Sequence, residues 1–283
     1  MTTTEIGSAA AHTRQPRVPR AKAVRPFGTG WGVRIAATIV LVFLILPLVV
    51  LVGSSFNANN LVKFPPQGFS LGWYATVLSS RDWIISMNLS VVVALLVVPT
   101  VVILGTLAAY GLFRGKQRGF LTAAFMSPLV VPEVMVGLGL LTYLQPTGLI
   151  NSVTGLWLAH SLVTLPFVIR TVSTSVQSLD PSLERAAQSM GAGPLRVFGT
   201  VVLPQLRPGI IAGGVFAAVL SLGEVAVSTF VSGPNTTTVP LRIMSAVQFE
   251  LDPSAAAVST LMMLISMVVM IVISRWVDLS RAF

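Results

Sequence analysis

Cysteine is absent from the 283 residues, which excludes disulfide scaffolds, Cys-ligated zinc, iron–sulfur clusters and thiol nucleophiles. Charge is scarce: 10% of residues are charged, against about a quarter in an ordinary soluble domain. Catalytic spacings are missing as well. There is no His-Glu-x-x-His, no Gly-x-Ser-x-Gly, and neither histidine has a carboxylate beside it in sequence that suggests a metal site. The run Gly111-Leu112-Phe113-Arg114-Gly115-Lys116 is one residue short of a phosphate loop and is followed by Gln117 where Ser or Thr is required. Any nucleotide hydrolysis therefore belongs to another chain. What remains is apolar surface: 54% of residues are hydrophobic and the mean hydropathy is +0.85, a composition that excludes a soluble globular protein.

A bilayer span needs about 20 mostly apolar residues, and six runs qualify: Ile35 to Val52, Met87 to Leu112, Phe120 to Leu144, Thr154 to Ile169, Ile210 to Val231 and Ala255 to Ile273. The fourth is short and carries His160 and Pro166, but charge parity requires it. With the N-terminus inside, the inner side takes six Lys and Arg in the tail, three at Arg114 to Arg118, four at Arg170, Arg185, Arg196 and Arg207, and two at Arg275 and Arg281. Only Lys63, Arg81 and Arg242 fall outside. Deleting the fourth span would move four charges outward, against the positive-inside bias. The net charge of +9 is thus accounted for by topology and does not call for nucleic acid. The expected organisation is a basic, disordered cytoplasmic tail at 1–33, a six-helix membrane domain at 34–278, and a cytoplasmic end at 279–283.

The runs are continuously apolar, so they are helices; barrel strands would alternate polar and apolar residues. Prolines at 47, 99, 128, 132 and 166 interrupt them, which is tolerated where neighbours satisfy the freed carbonyls. Gly209 and Gly213 form a small-xxx-small pair suited to close helix packing. The longest inner connection, 171–208, is patterned. Asp180 caps a helix opened by Pro181, Gly191 and Gly193 stop it, and Pro194 opens a second short helix with Leu195, Phe198 and Val202 on one face. An apolar face on such a loop needs a cover, from its own helix ends or from a partner.

Ala186-Ala187, Gly191-Ala192, Phe198 and Leu203-Pro204, ending in Pro208-Gly209-Ile210, resemble the EAA loop of ATP-binding-cassette importer permeases. In that family the loop is the coupling element seated on the ATPase. One departure is that the usual Glu before the two alanines is Arg185 here, with Glu184 one position earlier. Further likeness lies in Ser55-Phe56-Asn57, Phe64 to Leu71 and Trp73-Tyr74, which resemble the opening of type I importer permeases. Ser127 to Glu133, Gly223-Glu224-Val225 and Ser232 to Ile243 resemble the spermidine/putrescine-type branch, specifically its second permease subunit.

The resemblance implies an all-α membrane protein, a type I importer permease bundle of six transmembrane helices with a cytoplasmic coupling loop, in the bacterial inner membrane with both termini cytoplasmic. It implies partners: a second, homologous permease subunit in a heterodimer, two ATPase subunits that carry ATP and magnesium, an extracytoplasmic solute-binding protein, and membrane lipid. No cofactor is implied on this chain. Other small solutes, such as an opine, an aminophosphonate, thiamine or iron, fit the same machine. A standalone channel or secondary transporter would need ion-binding polar residues of its own, and an intramembrane enzyme a catalytic pair.

Ionisable groups in spans are costly and usually turn toward a partner or a water-filled path. Glu133, after the Pro128 and Pro132 interruptions, and Glu224, expected within the fifth span, are the two acids available to a cationic cargo. His160 is expected to be a packed, hydrogen-bonded interior residue.

Overall fold

The computed structural model describes residues 30–59, 64–114, 119–250 and 253–276. The tail before residue 30, Lys63, the charges at Lys116 and Arg118, and Arg281 lie outside the described residues. No β-strand occurs among the described residues. Contacts divide the chain into two units, Met1–Pro47 and Leu48–Phe283.

In the first unit the described chain is helical from Trp31. It belongs to α1 (Trp31–Ser55), whose side chains Ile39, Phe43 and Leu44 are exposed. Apolar side chains exposed along a helix match a hydrocarbon solvent, where only internally satisfied backbone is stable.

The second unit is built on three helices, α3 (Arg81–Arg114), α6 (Val153–Gln177) and α9 (Leu203–Gly223). Val93, Val97 and Val101 of α3 pack with Leu156, Val168, Ile169 and Val172 of α6 and with Leu206 and Ala217 of α9. Small residues at the contacts explain how close they come. A Cβ added at Gly213 would sit 3.1 Å from the Val168 side chain, and one at Gly105 only 2.8 Å from it. Around this core stand α2 (Gly72–Ser79), α4 (Gly119–Val130), α5 (Glu133–Leu144), α7 (Pro181–Ser189), α8 (Pro194–Val197), α10 (Ser228–Val231), α11 (Val239–Ser245) and α12 (Ser254–Trp276).

Five helical stretches are long and apolar enough to cross a membrane, and six if α4 and α5 are taken as one broken span. That break corrects the expectation of a continuous third span: the two halves meet at 102°. Pro132 has no N–H for a helical bond, and it pushes Val131 out of the helical region. The fourth span is longer than expected, reaching Gln177, and Ser152 caps its start by accepting from Gly155 N–H at 3.0 Å. Residues 171–177 therefore belong to α6. Pro194 to Val202 likewise run without interruption into α9, through a π-helical turn at Phe198–Val202. The free connection shrinks to 178–193, and the second helix is the start of the fifth span.

Candidate functional site

The loop is fixed by short-range stereochemistry. Asp180 accepts from Ser182 N–H at 2.8 Å, and Pro181 is the first residue of α7. That bond holds the exposed Asp180 carboxyl below its ordinary range. Gly191 has φ +85°, a conformation that costs an L side chain about 1–2 kcal/mol. Ala187 is buried while Arg185 and Ala186 are exposed, so α7 turns one small face inward and presents the rest.

Glu184 faces its own chain: it pairs with Arg114 at the end of α3, and Tyr110 donates to its other oxygen at 3.4 Å. The Tyr110 ring meets Phe198 edge-on at 5.1 Å. Arg114 and Tyr110 were not singled out in the sequence, because their partners lie 70 or more residues away. Of the face expected from Leu195, Phe198 and Val202, only Phe198 and Val202 pack inward. Leu195 is 87% exposed, and Val197 is the buried apolar residue of α8 instead. Leu183, Met190 and Leu195 are exposed, as are Ala186 and Gly191, while Ala192 is half-buried. Leu203 and Pro204 lie exposed on the first turn of α9.

At the other end of α9 the fifth span departs from its expected course. The apolar run to Val231 is not one helix. Glu224 has φ −72° and ψ 121°, so α9 ends at Gly223 and α10 begins after a short break. One Glu224 oxygen accepts from Val227 N–H at 2.8 Å, capping the new turn. Glu224 is therefore a residue of the break and not of a helix interior, and the only sequence sign of it was the preceding Gly223, a poor helix former. Glu133 opens α5 just after Pro132 and is exposed. Helix α5 packs on α10, where a Cβ at Gly137 would meet the Phe230 ring. The two candidate acids thus stand at two helix breaks whose following helices pack on each other.

A polar group fastens this region to α6. His160 is 1% exposed; its Nδ1 is 3.1 Å from Ser221 Oγ and its Nε2 2.9 Å from Ser228 Oγ. His160 is packed and hydrogen-bonded as expected, but the two serines were missed, since serine in an apolar span is ordinary.

The remaining quoted segments form two knots. Phe56 stacks on Phe69 at 4.6 Å and Trp73 Nε1–H donates to Asn57 O at 3.0 Å. In the stretch after α10, Thr236 bonds Asn151 at 2.9 Å, Val239 N–H donates to Ser90 at 2.9 Å, and Arg242 donates to Ser86 at 2.8 Å. Among the described residues no His, Asp and Glu cluster could hold a metal.

Residues 68–281 match the family described as binding-protein-dependent transport system inner membrane component. The putrescine transport system permease protein PotI of Escherichia coli K12 is 37% identical over 232 residues, covering 78% of this chain and 82% of its own length. The spermidine/putrescine permease PotC of the same organism is 28% identical over 236 residues, 83% of this chain and 89% of its own. The molybdenum permease ModB of Haemophilus influenzae is 32% identical over 212 residues, 69% and 92% of the two chains. In fold, the chain is similar to a bacterial ABC transporter that imports the acidic polysaccharide alginate, with a TM-score of 0.67 at 14% identity over 87% of this chain and 95% of that one. The break-bearing helix bundle is that of a multi-pass permease, and the chain belongs to the family of inner membrane components of binding-protein-dependent transport systems.

Proposed function

We propose that this permease subunit translocates a polyamine, with Glu224 and Glu133 offering negative charge to the passing cation. The observation that carries this reading is that Glu133 and Glu224 stand at two helix breaks, and that the helices that follow them, α5 and α10, pack on each other. Charge in a span is expensive unless something uses it, and a dication is the complementary cargo. The likeness to PotI and PotC supports the same class. An anionic cargo would be repelled by both acids.

ATP-driven alternating access would be delivered through the loop. Its exposed Leu183, Met190 and Leu195 offer an apolar seat for an ATPase subunit, with ATP and magnesium held there and none on this chain. A second permease subunit, in a heterodimer, completes the path, and an extracytoplasmic binding protein supplies the solute. Binding and hydrolysis would then bias two arrangements of the bundle, open outward and open inward.

Glu224→Gln tests the cargo reading. Gln keeps an acceptor for Val227 N–H but loses the charge. Losing about 1.4 kcal/mol at the limiting barrier slows putrescine flux about tenfold, with assembly and basal ATP hydrolysis near normal. Glu133→Gln has a smaller effect, because its carboxylate is exposed at a helix start where it also favours the N-terminal dipole. Unchanged flux in Glu224→Gln, measured in reconstituted complexes, rejects the path role.

Orientation has its own test. Single cysteines at Gln67, Gly148 and Asn235 should react with an impermeant thiol reagent added outside intact cells, and ones at Gln117 and Ser189 should not. The absence of native cysteine leaves no background. Labelling at 189 from outside overturns the placement of both termini and the loop in the cytoplasm.

A further inference from the structure

We propose that His160 is a positioning residue for Glu224: through Ser221 and Ser228 it holds the α9 to α10 break open, so that the carboxylate stays at the break. This rests on the reading of Glu224 as a path residue.

The argument is one of reach. Ser221 and Ser228 flank Glu224 and stand seven residues apart. In a continuous helix that separation is about 10.5 Å along the axis. An imidazole bonded through both nitrogens spans about 8 Å at most between its partners. His160 makes both bonds, at 3.1 and 2.9 Å, so its ring selects the broken chain over the straight one. The protons fall into one consistent arrangement. Ser228 Oγ–H donates to Glu224 C=O at 3.2 Å, so Ser228 accepts from His160 Nε2–H. Nδ1 then accepts from Ser221 Oγ–H. A neutral ring satisfies every group, and the carbonyl left without a helical partner at the break gains a donor. Without His160, the break keeps only the Glu224 cap on Val227 N–H and the packing of α10 on α5, so the balance shifts toward continuing α9 through Glu224, and the side chain turns away from the break with the new helix.

The test uses the cysteine-free background. Glu224→Cys is placed in the assembled complex in membranes and treated with an impermeant cationic methanethiosulfonate reagent, with Gly148→Cys as the control position. Adding His160→Ala should slow modification at 224 about tenfold, equivalent to about 1.4 kcal/mol in the balance between broken and continuous chain, and leave position 148 unchanged. His160→Gln, which keeps an N–H donor at the ring's reach, should recover most of the rate. The pair Ser221→Ala and Ser228→Ala, which leaves the imidazole volume in place, should reproduce the slowing if His160→Ala fails to assemble. A rate at 224 that is unchanged or raised in these variants overturns the proposal.

Transport separates this from the path reading. Putrescine delivered per ATP hydrolysed is insensitive to the amount of folded complex, and His160→Ala should lower it in the wild-type background but not further in Glu224→Gln. Independent, multiplying losses overturn the positioning role. Slowed labelling together with full flux in Glu224→Gln removes the path reading and leaves the positioning intact.

Discussion

Replacing Ala187 by Asp abolishes coupled uptake while the chain still inserts into the membrane. Ala187 is 7% exposed, on the face of α7 that turns toward the start of the fifth span. A carboxylate there is taken out of water on a face packed for a methyl group, at a cost of several kcal/mol, and it competes with Glu184 for Arg114 one helical turn away. The loop must either expel the side chain or unfold. Both outcomes displace Arg185, Ala186 and the exposed Met190 from their present register. Gly191→Asp is milder. Nothing lies within 4 Å of a Cβ at Gly191, and aspartate tolerates a positive φ better than most residues, so the loss is about 1–2 kcal/mol and uptake falls only severalfold. Arg185→Glu, on the exposed face, is tolerated. Uptake and co-purification of the ATPase subunits rank the three variants. Full uptake with retained ATPase in Ala187→Asp contradicts the assignment.

Gly209→Leu prevents the bundle from closing. A Cβ at 209 runs into the Ser175 side chain and stands 3.2 Å from Val172 Cα, so the obstacle includes backbone, which cannot change rotamer. A whole isobutyl group at this contact forces α6 and α9 apart, at about 3 kcal/mol or more. Thermal unfolding in detergent should show a large loss of stability or no folded protein. Gly214→Ala is the control: its Cβ meets Val102 at 3.4 Å, an ordinary contact, and stability should hold. Equal stability of the two variants would show that α6 and α9 are not closely packed at 209.

The parts legible in the sequence are those decided within a few residues. Asp180, Pro181, Gly191 and Pro194 dictate a cap, a helix start, a left-handed stop and a second start, and each stands where stereochemistry puts it. Hydropathy and loop charge gave the spans, including the weak fourth one. Pro132 announced an interruption, but its 102° angle depends on what α5 packs against. The break at Glu224 was hidden because Ile210 to Val231 is apolar throughout, and a hydropathy run does not register a change of backbone direction. Short α2 (Gly72–Ser79) was missed for a similar reason: its Trp73 and Tyr74 were noticed as a motif, while the helix itself is too short to show a period. The Arg114 to Glu184 pair and the His160 bonds to Ser221 and Ser228 are long-range pairings, and spacing carries no trace of them.

The unbroken helix from Pro194 to Gly223 has a mechanical meaning. Its 30 residues, at about 1.5 Å each, make a strut about 45 Å long. One end is the loop after Gly191 and the other is the break that holds Glu224. In the proposed coupling, a displacement at the first end reaches the second with no slack linker to absorb it, and the strut can give only where regular helical bonding is interrupted, at the π turn of Phe198–Val202 and at Pro208 inside α9.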